Sequence, residues 1–299
     1  MSKSHRIDSG TARIAAESAG RGPSFVCLHA GFADRRMWQG QHELTDQYHL
    51  VSYDRRGFGE TTCVDEPFSQ TTDLLAVLDQ FYLSLVILMG SSQGGKIAID
   101  FALRFPARVS VLVLIAPALS GARSPGSFPP SIQTSLGTLD AADDQKDLPL
   151  VNAIETHLWL DGPNSFEGRV HGPLRQLFAD MNGVALEHPE LTQEIDAPPA
   201  AERLGQIHVP TLLFYGDLDL THIQQRTQKM ALTIPEATSI CILGTAHMPG
   251  MEQPRRINAP AENSCSMPRS RKAAATVQRS LCPDLFTDAW SGRSFRMSC

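Results

Sequence analysis

Leu85-Val-Ile-Leu-Met-Gly90-Ser91-Ser92-Gln93-Gly94-Gly95-Lys96-Ile97 is the stretch that decides the fold. An apolar run ends abruptly at Gly90. A helical pattern begins after Gly94, with Ile97, Phe101, Ala102 and Phe105 three and four residues apart. Gly90, Ser92 and Gly94 spell G-x-S-x-G, a strand-to-helix turn so sharp that its serine is held in strained backbone with the hydroxyl exposed. Side chains at the two glycines would collide with the neighbouring strand and helix. The helix that follows aims its first N–H groups at the same place, where negative charge is tolerated. A nucleophilic serine needs this geometry. The same residues also match seven positions of a phosphate-binding loop, Gly90-x4-Gly95-Lys96. Its eighth position must be Ser or Thr and is Ile97, and the next apolar run ends in Pro117 with no acid to hold a metal.

Outward from this turn, short apolar runs alternate with helical segments. Residues 5–19 predict an edge hairpin turning at Ser9-Gly10. Ser24–His29 and Tyr48–Asp54 predict strands, and Thr71–Phe81 a helix. Val109–Ala116, Thr211–Tyr215 and Ser239–Leu243 complete the strands, with a helix near Thr221–Ile234 before the last. The pattern is that of a mostly parallel central sheet with helices on both faces. Between 119 and 208 the strand signal vanishes. Helical segments at Val151–Leu160 and Leu174–Met181 there predict a cap inserted before the last two strands. Residues 1–118 and 209–258 form the expected core. The stretch 255–299 carries eight Lys/Arg against three Asp/Glu and half of the six cysteines. With no apolar period left, 259–299 is expected to be an atypical, disordered basic tail.

With 299 residues, 42% apolar and 19% charged, the chain can bury a full core. A net charge of −6 gives no reason to expect nucleic acid. The longest apolar runs are far too short to span a bilayer. The polar start shows no secretion signal, and no two cysteines have C-x-x-C spacing. Cys27 and Cys241 lie within strands and are expected to be buried small hydrophobes. Together these features suggest a cytoplasmic protein without a metal site, a cofactor or a membrane partner.

A serine becomes a nucleophile when a base takes its proton and a third group orients that base. Partners should sit on loops at the C-terminal strand ends, in the order serine, acid, histidine. After Thr211–Tyr215 come two candidate acids, Asp217 and Asp219; Asp219 is the first choice. Four residues beyond Leu243 lies His247, on a loop bounded by Gly244 and Pro249. His222 competes but sits beside its own acid at a helix start, and His29 reads as a structural, hydrogen-bonded histidine. The developing oxyanion needs two N–H donors. The backbone of Gln93 is one candidate, and Gly31, after the first long strand, is the other, with Phe32 next. Met37, Trp38, Trp159 and Phe178 serve equally well as pocket lining or as core.

His29-Ala-Gly, Tyr53-Asp-Arg-Arg-Gly-Phe-Gly59, Gly90-Ser-Ser-Gln-Gly94, Gly216-Asp-Leu-Asp219 and Ala246-His-Met-Pro…Glu252-Gln-Pro254 together resemble the α/β-hydrolase family over residues 5–258. Within it the chain is similar to small, cofactor-free esterases and lactonases of the 3-oxoadipate enol-lactonase type. The resemblance implies Ser92 as nucleophile, Asp219 as acid and His247 as base, and an acyl-enzyme resolved by water. The expected substrate is a small-molecule ester or lactone. The same triad could instead hydrolyse a C–C bond or form a peracid, or the fold could serve as a non-enzymatic small-molecule sensor. Two departures stand out: Ala30 replaces the family's glycine, and Ala259-Pro260 interrupts the closing helix.

Overall fold

The computed structural model describes residues 2–123 and 127–266. Its strands are β1 (Lys3–Ser9), β2 (Ala12–Ala19), β3 (Ser24–Leu28), β4 (His49–Tyr53), β5 (Val86–Ser91), β6 (Val109–Ile115), β7 (Thr211–Gly216) and β8 (Ala237–Ile242). They form one sheet in the order β1-β2-β4-β3-β5-β6-β7-β8. β1, β2 and β4 pair antiparallel, and every pair from β4 to β8 is parallel. This is the mostly parallel sheet with helices on both faces expected from the alternation of strands and helices, and it is the α/β-hydrolase fold class that the resemblance implies.

Both faces of the sheet are covered, so its central strands are mostly apolar and buried. Along β3, Phe25 and Cys27 enter one core while Val26 and Leu28 enter the other, the two-residue period of a pleated strand. Helices α1 (Gln70–Gln80) and α2 (Gln93–Arg104) cover the second core. α1 starts where the Ser69 side chain accepts from the Thr72 N–H, and it buries Leu74, Val77 and Leu78. α2 buries Ile97, Ala98, Phe101 and Ala102.

The cap enters between β6 and β7. It consists of α3 (Pro130–Asp144), α4 (Leu148–Glu155), a π-helical segment (Thr156–Asp161) and α5 (Pro173–Glu187). α3 has no counterpart in the sequence reading. It buries only Ile132 and Ala142, so its apolar stripe is too thin to register. Thr134, Ser135 and Thr138 turn their hydroxyls back onto carbonyls four residues earlier. Such residues carry little helix signal of their own.

After the cap, α6 (Thr221–Thr233) joins β7 to β8, and a short α7 (Pro249–Glu252) precedes α8 (Pro254–Ser266). α8 continues past residue 258, where the sequence reading placed the end of the core. The helix runs through Pro260 to Ser266, with Ile257 and Ala261 fully buried one turn apart. Docking outweighs the proline penalty. Asn258 accepts from Gln41 Nε2 at 3.3 Å and donates to the Gly40 carbonyl at 3.1 Å, tying α8 to the 3₁₀ segment Arg35–Asp46. The rest of the expected tail, 267–299, lies outside the described residues. Cys27 is buried as expected, whereas Cys241 on β8 is only half-buried. Among the described residues no helix is long and apolar enough to cross a membrane.

Candidate active site

The G-x-S-x-G turn joins β5 to α2, and its serine has a backbone open to few side chains. Ser92 sits at φ 49°, ψ −114°. A non-glycine residue holds such a conformation only when its surroundings impose it, at a cost of about 1–3 kcal/mol. The Ser92 N–H donates to the Ile115 carbonyl at 2.9 Å. Its own carbonyl accepts from Lys96 at 3.1 Å and Ala118 at 2.9 Å. The flanking glycines are steric necessities. A Cβ at Gly90 would lie 2.4 Å from the Gly94 carbonyl oxygen, and one at Gly94 would lie 2.1 Å from that of Leu28. Among the described residues the Ser92 hydroxyl makes no hydrogen bond.

Two strands along, the loop after β7 carries two aspartates with different occupations. Asp217 accepts from the Gly244 N–H at 2.6 Å and braces the neighbouring loop. Asp219 is buried; Oδ1 accepts from the Leu220 N–H and Oδ2 from His247 Nδ1, each at 2.7 Å. An ionised carboxylate only accepts, so Nδ1 carries the proton and Nε2 keeps a free lone pair. His247 is 2% exposed. Its N–H donates to the Trp159 carbonyl at 3.1 Å. Its ring lies 4.9 Å from that of Trp159 and 5.7 Å from that of Phe32. His222 lies at the start of α6 against Phe128, its pKa lowered to about 4 by burial and then by the Arg226 charge. It has no hydrogen bond to Asp219.

On the other side of Ser92, Gly31 abuts Gln93: a Cβ at Gly31 would lie 2.8 Å from the Gln93 amide. His29 is structural in this arrangement. Its Nδ1 donates to the Ala30 carbonyl at 2.7 Å and its Nε2 accepts from the Arg55 N–H at 2.9 Å. Burial first, and then the Arg55 charge, hold its pKa well below the ordinary histidine range. Phe32 stacks on Trp159 at 5.2 Å and leans on Phe178 at 5.6 Å, forming an apolar wall around His247. Trp38 and Phe178 are both fully buried core, and Met37 offers its sulfur to the Ala30 N–H.

One residue the sequence reading missed ties the cap to the histidine loop. Arg169 donates to the carbonyls of Leu160, Asp161 and Gly244 and pairs with Glu252 at 2.7 Å. Glu252 in turn accepts from the Ala246 N–H at 2.9 Å. Burial raises the Glu252 pKa, against the pull of Arg169. Arg169 sits in a cap segment with no motif, so nothing local marks it. A cavity of about 670 Å³ lies elsewhere, lined by Arg56, Asp73, Asp100 and Arg104 among others. It contains none of the residues just described, and no histidine lines it. Among the described residues no cluster of side chains could hold a metal ion.

A parallel sheet with this strand order, a strained serine on the β5–α2 turn and a buried Asp–His pair two loops away define a hydrolase-type α/β protein. The profile of the alpha/beta hydrolase family matches residues 25–259, and the chain belongs to that family. It is 25% identical to the AB hydrolase superfamily protein YisY of Bacillus subtilis, over 81% of this chain and 91% of that one. It is 24% identical to carboxylesterase YbfK of the same organism, over 83% and 82%. Several other curated relatives match over only 32% to 41% of their lengths. Among solved structures, an esterase from Exiguobacterium antarcticum superposes with a TM-score of 0.71 at 21% identity, over 89% of this chain and all of that one.

Proposed function

We propose that the chain is a serine hydrolase that cleaves a carboxylic ester or lactone of a small molecule through an acyl-enzyme on Ser92. The observation that carries this reading is the buried 2.7 Å contact between His247 Nδ1 and Asp219 Oδ2, at the sheet edge that also presents the strained Ser92. The kinship with a carboxylesterase over most of both chains supports the choice of bond.

In this reading Ser92 Oγ attacks the substrate carbonyl carbon, and its proton passes to His247 Nε2. Asp219 keeps the imidazole in the required tautomer and stabilises the imidazolium. The carbonyl oxygen gains the negative charge and is met by the N–H groups of Gly31 and Gln93. Collapse expels the alcohol, which takes the proton from His247. Water then repeats the sequence on the acyl-enzyme and releases the acid. The electron and proton balance closes without a metal or redox group. Phe32 and Trp159, stacked on each other beside His247, offer an apolar surface suited to a small hydrophobic acyl group.

A panel of short-chain aryl esters and five- and six-membered lactones tests the proposal. Turnover by the wild type that falls at least 10³-fold in folded Ser92→Ala supports it. Turnover unaffected by that substitution refutes it.

A further inference from the structure

Arg55 is 3% exposed, yet among the described residues it makes no salt bridge, and the Glu194 carboxylate acts on it only from beyond contact. Its guanidinium rests on the Phe58 ring at 4.4 Å, and its Nε–H is buried without a partner. Burial pulls its pKa down to about 10, which leaves it charged at neutral pH. Retaining a charge in such a place is costly, so its few bonds are informative. One terminal nitrogen, Nη2, makes both side-chain bonds. It donates to the Ala30 carbonyl at 3.1 Å and to Gln93 Oε1 at 3.2 Å.

Those acceptors belong to the two backbone donors of the proposed oxyanion site. The Ala30 carbonyl and the Gly31 N–H are the two ends of one peptide unit, and a trans peptide points them in opposite directions. Arg55 and His29 Nδ1 both donate to that carbonyl, which fixes the direction of the Gly31 N–H. Donation from a cation also polarises the peptide and strengthens the N–H at its far end. Gln93, the second donor, has its side chain held between Arg55 and Gly31. The Arg55 N–H on His29 Nε2 closes the network and selects the tautomer that donates to Ala30.

We propose that Arg55 is a positioning residue for the oxyanion site, tying the Ala30–Gly31 peptide and Gln93 together so that both N–H groups converge on the reacting carbonyl oxygen. The proposal rests on the serine hydrolase reading above. Arg55 touches neither substrate nor nucleophile. It acts through the two donors, and its positive charge sits behind the oxyanion rather than beside the histidine.

The test compares wild type, Arg55→Met, Arg55→Lys, Gln93→Met and the double variant Arg55→Met/Gln93→Met. Each is assayed on an aryl acetate and with a trifluoromethyl ketone, whose adduct places an oxyanion in the same site. Loss of one oxyanion donor costs roughly 10²–10³ in turnover. Arg55→Met is expected to lower kcat about 10²-fold with KM within about threefold, and to weaken the ketone in parallel. The shape of the pH profile stays as in wild type. Arg55→Lys recovers part of the loss, and the double variant is no worse than Arg55→Met alone, because the two residues act in one chain of contacts. A folded Arg55→Met with unchanged kcat overturns the proposal, as does a loss confined to KM or a double variant whose losses multiply. Should Arg55→Met not fold, Gln93→Met decides: about a tenfold fall in kcat is expected, and unchanged kcat overturns the proposal. A wild type with neither turnover nor reactive Ser92 overturns the serine hydrolase reading and this proposal with it; wild-type turnover indifferent to Arg55 overturns this proposal alone.

Discussion

Replacing Gly216 by alanine adds one methyl group where the strand that leads to Asp219 meets the loop that leads to His247. The new Cβ would stand 2.1 Å from the Thr245 carbonyl oxygen and 2.2 Å from that of Ala246. Carbon and carbonyl oxygen come no closer than about 3.3 Å in stable contacts, so the loop or the strand must recede by about 1.2 Å. Neither side can give way cheaply. The Thr245 carbonyl accepts from the Leu218 N–H at 3.0 Å, and Gly216 is paired in register with Ile242 of β8. Overpacking of this kind costs about 1–3 kcal/mol, and backbone on both sides puts the substitution at the upper end. The larger effect falls on activity, because the acid and the base are carried by the two segments being forced apart. A misplacement of about 1 Å is worth about 10² in rate. Gly216→Ala is therefore expected to lower kcat about 100-fold and to lower the thermal midpoint by several degrees, with the loss in kcat remaining well below the midpoint. Steady-state kinetics and a thermal melt on the same preparation read both. Wild-type kcat in a folded Gly216→Ala protein would refute the claim that this contact sets the separation of acid and base.

Three further predictions follow from individual contacts. Asp219→Asn keeps the packing but no longer enforces Nδ1–H on His247, and is expected to lower kcat about 10⁴-fold with little change in the melt; Asp217→Asn, which alters only the brace on Gly244, should cost less than tenfold. His222, with its pKa lowered from 6.5 to about 4, contributes stability present above pH 6.5 and lost as the pH falls towards 4. The full displacement corresponds to roughly 3 kcal/mol, and partial solvent access reduces it to about 1–2 kcal/mol; urea denaturation of wild type and His222→Gln at pH 7 and pH 4.5 should show a loss larger in wild type by about that amount, the remainder, to which His29 contributes, being common to both. Ile257→Ala, at a fully buried position on α8, should cost about 2–5 kcal/mol in the same assay, whereas a helix foreign to the fold would register no change.

The parts of the fold that repeat a simple period were legible in the sequence. β3, β5 and β6 read as strands because both faces are covered and each carries an apolar run, broken in β6 only by Ser110, and α1 and α2 read as helices because one stripe is apolar. Ser92, Asp219 and His247 stand out in the sequence as candidates for a different reason: each follows a strand and sits among glycines or prolines that fit no regular element. α3 was invisible because its residues bond to their own backbone and bury almost nothing. α8 was misjudged at Pro260 because a proline in a helix is a local penalty, while Gly40 and Gln41, which hold that helix in place through Asn258, lie more than 200 residues before it in the chain. Arg55 and Arg169 show the same limit at the site. An arginine's type and neighbours do not reveal which carbonyls it will reach, and both act through contacts that only the folded chain creates.

The most direct test of an activated serine is covalent labelling. Wild-type protein is treated with a fluorophosphonate, and the adduct is located by peptide mass spectrometry alongside Ser92→Ala and His247→Gln. The account predicts a single adduct on Ser92 in wild type, none in Ser92→Ala, and labelling slowed by orders of magnitude in His247→Gln. Label on another residue, or equal labelling with and without His247, would contradict it.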